Sequence, residues 1–215
     1  MMIEYVGSGG GTGGDRTPIL KFSAKDGSFI AADRIQIDGR WETQEREISD
    51  LPFKVAMDLA DLEMGWIAFK PAPDFVMVKA GQARPEKPSD EHKWGFRVKL
   101  ANKDIGLREL SSSSKNVYQR MVPVFQAYEA GKAENAGKVP IVEISGTDRV
   151  VQQLNDGSSQ TWRVPTWSIV GWTDRPALFD GGGQSSPAAI DPAPAQVAPP
   201  ASVTPAEAGN AADLF

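Results

Sequence analysis

Aromatic and basic side chains are interleaved through the middle of the sequence, and this combination can hold single-stranded nucleic acid. Bases stack on aromatic faces for about 1 to 3 kcal/mol each, while Lys and Arg side chains neutralise phosphates. The stretch from 66 to 120 contains eleven basic residues against six acidic ones. The candidate nucleic-acid-binding residues are Trp66, Phe69, Lys70, Lys79, Arg84, Trp94, Phe96, Arg97 and Lys99.

Trp66 and Trp94 are the leading candidates for stacking. Alternation along 94–100 places Trp94 and Phe96 on one side of a strand and the cations Arg97 and Lys99 on the other. The same alternation is typical of any half-buried strand, so each ring taken alone is also compatible with core packing. For the set as a whole, we expect rings and cations to line one open trough.

The charge of the chain is uneven along its length. The formal net charge is −5, but residues 180–215 hold four acids and no base, which leaves −1 for residues 1–179. A basic face is therefore compatible with a protein that is acidic overall.

The sequence contains few residues that could support catalysis or metal binding. The chain has no Cys and a single His, His92, which excludes thiolate catalysis, Cys-ligated zinc and His-rich metal sites. Asp58, Asp61 and Glu63 are spaced closely enough for a Mg²⁺-dependent nuclease, although a turn between two strands explains them at least as well. We therefore expect no enzyme activity, no metal and no cofactor.

The local patterns predict short strands and one helix. Asp-Gly dipeptides at 26–27 and 38–39 predict tight hairpin turns. A helical period begins after 111 and predicts one amphipathic helix ending near Gly131, with a kink or a new helix start at Pro123. Its apolar face consists of Val117, Met121, Val124 and Tyr128.

Many short strands with turn dipeptides between them indicate a mainly β protein. We expect an OB-like antiparallel barrel with one inserted amphipathic helix and disordered termini; a β-sandwich is the alternative. The predicted organisation is a flexible Gly-rich arm at 1–16, a nucleic-acid-binding domain at 17–179 and a disordered tail rich in Pro, Ala and Gly at 180–215. The proline-bearing stretch 80–92 predicts a long exposed loop.

The arrangement of a β domain, a Pro-rich tail and an acidic-aromatic tip resembles single-stranded DNA-binding proteins of the phage and prophage type. The resemblance rests on segments 65–69, 106–110 and 169–172 and on the tip Asp213-Leu214-Phe215. It implies sequence-tolerant binding of single-stranded DNA in phage or prophage DNA replication or recombination, inside a bacterial host cell. It also implies that Asp213, Leu214 and Phe215 recruit replication or recombination proteins.

A second hypothesis belongs to a different functional class. The β domain would bind protein, as an interaction or virion accessory module, and the tail would act only as a tether. No apolar stretch approaches the roughly 20 residues of a membrane span, so we expect a soluble cytoplasmic protein without a membrane partner. The sequence leaves a homo-oligomeric state open.

Overall fold

The computed structural model describes residues 17–48, 51–154 and 156–180. The predictions for the arm at 1–16, for the tail beyond Asp180 and for the tip Asp213-Leu214-Phe215 lie outside the described residues. The described strands are β1 (Ile19–Phe22), β2 (Phe29–Ile37), β3 (Arg40–Ile48), β4 (Phe53–Met57), β5 (Glu63–Ala68), β6 (Asp74–Lys79), β7 (Lys93–Asn102), β8 (Gly106–Ser112), β9 (Lys138–Gln153) and β10 (Ser159–Asp174). The α-helix in this part of the chain is α1 (Lys115–Gly131), and short 3-10 turns occupy Leu59–Asp61 and Ala177–Asp180.

The strands form one sheet in the order β10-β9-β4-β7-β8-β1-β2-β3. In addition, β5 pairs with β7, and β6 pairs with β5. For the described residues, the prediction of a mainly β fold with one α-helix is confirmed. The expected antiparallel barrel is not, because β1 and β8 run parallel and the sheet does not close into a barrel. Local patterns could not fix this direction, since β1 and β8 are far apart in sequence.

The two Asp-Gly dipeptides behave differently. At 38–39 both residues have positive φ, 49° and 79°, as a two-residue turn of type I′ requires, and Ile37 pairs directly with Arg40. At 26–27 the prediction of a two-residue turn was wrong. Pairing stops at Phe22 and Phe29, and a wider six-residue connection holds Gly27 at φ 82°.

The face of the helix that the structure buries is the apolar face that the sequence predicts. The buried residues of α1 are Val117, Met121, Val124 and Tyr128, the four positions that the spacing predicts. Pro123 lies within the helix, and the chain remains a single helix from Lys115 to Gly131, so no second helix starts there. This helix packs mainly against β10.

The core lies on one face of the central strands. Phe96, Val98 and Leu100 of β7 are buried in it, whereas Arg97 and Lys99 alternate to the opposite face. The loop 80–92 connects β6 to β7, as predicted. Strands β5, β6 and β7 also have a second face, on which Arg97 and Lys99 lie beside the buried Ile67.

Candidate nucleic-acid interface

Two tryptophans face each other across neighbouring strands. Trp66 of β5 pairs directly with Trp94 of β7, and their ring centroids lie 5.3 Å apart at an interplanar angle of 81°. Such an edge-to-face arrangement is the favoured geometry of an aromatic pair. Both rings are half-buried, so neither is sealed in the core.

A pair of glycines sits beside the tryptophans. Gly65 is directly opposite Gly95 in the β5–β7 register. A Cβ on Gly65 would lie 2.1 Å from the carbonyl oxygen of Val76, and one on Gly95 would lie 2.2 Å from that of Ser112. Neighbouring strands thus approach so closely that no side chain fits, and glycine is required for the local sheet geometry that positions the rings. Our sequence reasoning missed this role, although each glycine is adjacent to a tryptophan in the sequence.

The loop 80–92 brings a cation onto both rings. The guanidinium carbon of Arg84 lies 4.3 Å from the Trp66 ring centroid and 4.2 Å from that of Trp94. Lys87 Nζ lies 5.9 Å from the Trp66 centroid. Arg84 remains exposed, and among the described residues it makes no ion pair. The result is an exposed cation–π cluster, which we call the tryptophan cluster: Trp66, Trp94, Arg84 and Lys87.

The loop is fastened at two points. Trp66 Nε1 donates a hydrogen bond to the carbonyl oxygen of Pro85 at 2.9 Å. At the other end of the loop, buried His92 contacts Ser89 Oγ through Nδ1 at 2.8 Å and Asp74 Oδ2 through Nε2 at 3.2 Å. These contacts hold Arg84 over the rings, and they give His92 a structural explanation.

Three of the remaining predicted cations lie on the other face of the same strands. Lys79, Arg97 and Lys99 line an open cavity of about 300 Å³, which we call the charged cavity. Its acidic lining consists of Asp61, Glu63 and Glu109. Three bases against three acids leave this surface balanced in formal charge.

Two of these cations are already neutralised by carboxylates. Lys79 Nζ contacts Asp61 Oδ1 at 2.7 Å, and Arg97 Nε contacts Glu63 Oε2 at 2.6 Å. The hydrogen bond from Lys79 lowers the pKa of Asp61, and the bond to Asp61 raises the pKa of Lys79. Burial raises the pKa of Glu109.

The structure therefore divides the predicted site. It brings Trp66, Trp94 and Arg84 together, and it places Lys79, Arg97 and Lys99 across the sheet, so these three cations do not share a trough with the two tryptophans. Phe69 and Lys70 are exposed just beyond β5, where Phe69 packs edge-to-face with Phe75 at 6.0 Å between centroids.

Phe96 requires a correction. It is 0% exposed and packs against Trp167 at 6.1 Å between centroids, so its ring cannot reach a base. Phe96 shares its side of β7 with Trp94 but lies two residues deeper, inside the core.

The closely spaced carboxylates also have partners. Arg175 Nη1 and Nη2 donate to the two oxygens of Asp58, each at 2.7 Å, and Asp58 is 1% exposed. Asp61 and Glu63 are paired with the cations of the charged cavity. Within the described ranges, no group of three or more His, Cys, Asp or Glu residues could hold a metal ion. Arg175, the residue after β10, instead links the end of that strand to the turn at Asp58.

Comparisons with protein-family models, curated proteins and solved structures found no significant match to this chain. Among the described residues, no helix is both long and apolar enough to cross a membrane.

Proposed function

We propose that this protein binds single-stranded DNA with little sequence preference, through the tryptophan cluster. The observation that carries the proposal is the exposed guanidinium of Arg84, whose central carbon lies 4.3 Å from the ring centroid of Trp66 and 4.2 Å from that of Trp94. Indole rings and an unpaired arginine are the two components that single-strand binding requires, since bases stack on flat surfaces and cations neutralise phosphates.

The geometry supports stacking rather than recognition of base edges. Trp66 Nε1, the only polar atom of that side chain, is already bonded to Pro85 and has no proton left to offer a base. A planar guanidinium also presents a stacking surface of its own. A base that stacks on the Arg84 layer would be held whatever its identity, which supports sequence tolerance.

Arg84 is more available to a phosphate than the paired cations of the opposite face, although Lys87, the other cation of the tryptophan cluster, is paired with Asp90 at 3.3 Å. Arg84 has no carboxylate partner among the described residues, whereas Lys79 and Arg97 are paired with Asp61 and Glu63. A phosphate at the charged cavity would have to compete with those carboxylates. Lys70 is exposed just beyond β5 and makes no ion pair in the described part of the chain, so it is a further candidate phosphate contact.

We further propose an OB-like architecture and a role in phage or prophage DNA replication or recombination. The backbone N–H of Arg163 in β10 donates to the carbonyl oxygen of Ala24 at 2.7 Å, which brings one end of the sheet against the β1–β2 connection. This curling supports a relation to small barrels. The role, the bacterial cytoplasm as its location and recruitment of partner proteins through Asp213, Leu214 and Phe215 rest on the resemblance described above.

Fluorescence anisotropy with labelled oligo(dT) tests the proposal. We expect Trp66→Ala to weaken binding by about 1 to 3 kcal/mol, roughly 5- to 150-fold, without unfolding the protein. Trp162→Ala is the matched control, because Trp162 is also half-buried but belongs to the distal β9–β10 hairpin. Binding should also weaken with salt by about 0.7 in log K per decade for each phosphate contacted.

Two outcomes would contradict the proposal. One is the absence of oligo(dT) binding by the wild-type protein at low salt, which would favour the protein-interaction or virion accessory module. The other is equal affinity for the Trp66→Ala and Trp162→Ala variants, which would remove the tryptophan cluster from the site.

A further inference from the structure

Strand β3 is a long strand at the edge of the described part of the sheet. It covers nine residues, Arg40–Ile48, and all but Ile48 are exposed. Among the described residues its only strand partner is β2. An edge strand presents a row of unpaired N–H and C=O groups, which makes it a template for pairing with another chain. The length and exposure of β3 therefore raise the question of what pairs with it.

The side chains of β3 indicate the partner, because their charges are self-complementary. In antiparallel pairing of two copies about Gln44, Glu42 of each copy faces Arg46 of the other. All nine residues then pair, and no like charges meet. A shift of one residue in either direction places Glu42 opposite Glu45 or Glu47 of the second copy, which is destabilising.

Larger shifts are no better. A shift of two residues brings Arg40 opposite Arg46 in one direction, and Glu45 opposite its own copy in the other. Both also shorten the pairing to seven residues. The register about Gln44 is thus the longest of these five alignments and the one free of like-charge pairs.

We infer that two copies of this chain form a two-fold dimer by antiparallel pairing of their β3 strands about Gln44. A two-fold axis makes the contact isologous, so each Glu42–Arg46 pair occurs twice, and the two Gln44 amides face each other on the axis. This dimer extends the sheet from one copy into the next. The inference is independent of DNA binding.

The existing contacts of β3 leave this pairing accessible. Arg46 Nη2 donates to the carbonyl oxygen of Asp104 at 3.1 Å, which uses one of five guanidinium donors. The carboxylate of Glu42 has no hydrogen bond or ion pair in the described part of the chain. Trp41, 47% exposed, would lie against Glu47 of the second copy and lose part of its contact with water.

Sedimentation velocity of the full chain, from about 1 to about 100 µM, tests the inference with a charge swap. We expect the wild type to dimerise with rising concentration. Glu42→Arg and Arg46→Glu should each abolish the dimer by creating like-charge pairs, and the double variant should restore it. The double variant does not restore the bond from Arg46 to Asp104, so recovery of the dimer can come only from pairing between copies.

Glu134→Arg, at an exposed position after α1, is the matched control and should leave the dimer intact. Circular dichroism confirms that each variant is folded. Three results would overturn the inference: a wild type that stays monomeric across the range, single variants that still dimerise, or a double variant that remains monomeric.

Discussion

The tryptophan cluster and the charged cavity lie on opposite faces of the same strands, and Arg84 on one face differs from Lys79 and Arg97 on the other in what it contacts. On one face Arg84 rests on two indole rings and has no carboxylate partner among the described residues. On the other, Lys79 and Arg97 are held by Asp61 and Glu63. Both surfaces are rich in basic residues, so counting bases along the sequence cannot separate them.

The comparison shows that a cation's neighbours decide what it can bind. An exposed ion pair contributes little to stability, but it occupies the cation, and a phosphate must displace the carboxylate first. A cation that lies on an aromatic ring has no carboxylate to displace, so its charge is available to a ligand. The following predictions test this difference between the two faces, in order of decreasing effect.

The largest effect should come from Phe96→Ala, which removes a core ring. We expect a loss of about 3 to 5 kcal/mol in the free energy of unfolding, measured by urea denaturation. Trp94→Ala, two residues earlier on the same side of β7, should lower DNA affinity by about 1 to 3 kcal/mol and stability by less than Phe96→Ala does. Equal stability losses in the two variants would show that Trp94 belongs to the core.

A smaller loss is expected for Gly95→Ala, because its Cβ would collide with the backbone carbonyl of Ser112. We expect about 3 kcal/mol of destabilisation in urea denaturation, from forced separation of β7 and β8. Gly146→Ala is the control, since a Cβ there meets no atom within 4 Å. If both variants unfold at the same urea concentration, the close approach of the strands is not needed for the fold.

Arg84→Ala should weaken oligo(dT) binding and reduce the salt slope by about 0.7, as expected for loss of one phosphate contact. Lys79→Ala, in the charged cavity, should leave the slope unchanged, because Asp61 already pairs with that cation. Both are measured by anisotropy titration at several salt concentrations. A greater loss of affinity in Lys79→Ala would place the DNA on the opposite face.

The smallest effect concerns Glu109, whose pKa burial raises above the ordinary value of 4.5. Stability from this carboxyl is fully present below that ordinary value, and it is lost as the pH rises through the raised pKa of the folded state. Glu109→Gln cannot ionise, so its free energy of unfolding should exceed that of the wild type at pH 7 but not at pH 4. Glu134→Gln is the control, and the same gain at both pH values would argue against ionisation as the cause.

Local features of the fold were well predicted where a short-range pattern decides the outcome. The spacing of Val117, Met121, Val124 and Tyr128 defined the buried face of α1, and Asp38-Gly39 defined a two-residue turn because both residues tolerate positive φ. The two-residue turn predicted at Asp26-Gly27 was wrong. There the turn packs against Thr147 and Arg163, two residues distant in sequence, so its width is set by tertiary contacts.

The candidate site was predicted in composition but not in arrangement. Trp66 and Trp94 were identified by residue type, and their direct opposition depends on the β5–β7 register, which no local pattern specifies. Phe96 illustrates the same limit. Alternation placed it beside Trp94, and only the packed structure shows that the core reaches Phe96 and stops short of Trp94.

Sequence periodicity was enough to predict which residues share a side of a strand or helix, because the periods of two and 3.6 are properties of the backbone. The sequence also shows how many aromatic and basic residues are available to form a site. Which cations are neutralised depends on the folding of the whole chain, since Lys79 contacts Asp61 and Arg84 contacts two indoles from separate segments. Those contacts depend on strand order and register, which arise from the packing of the whole sheet.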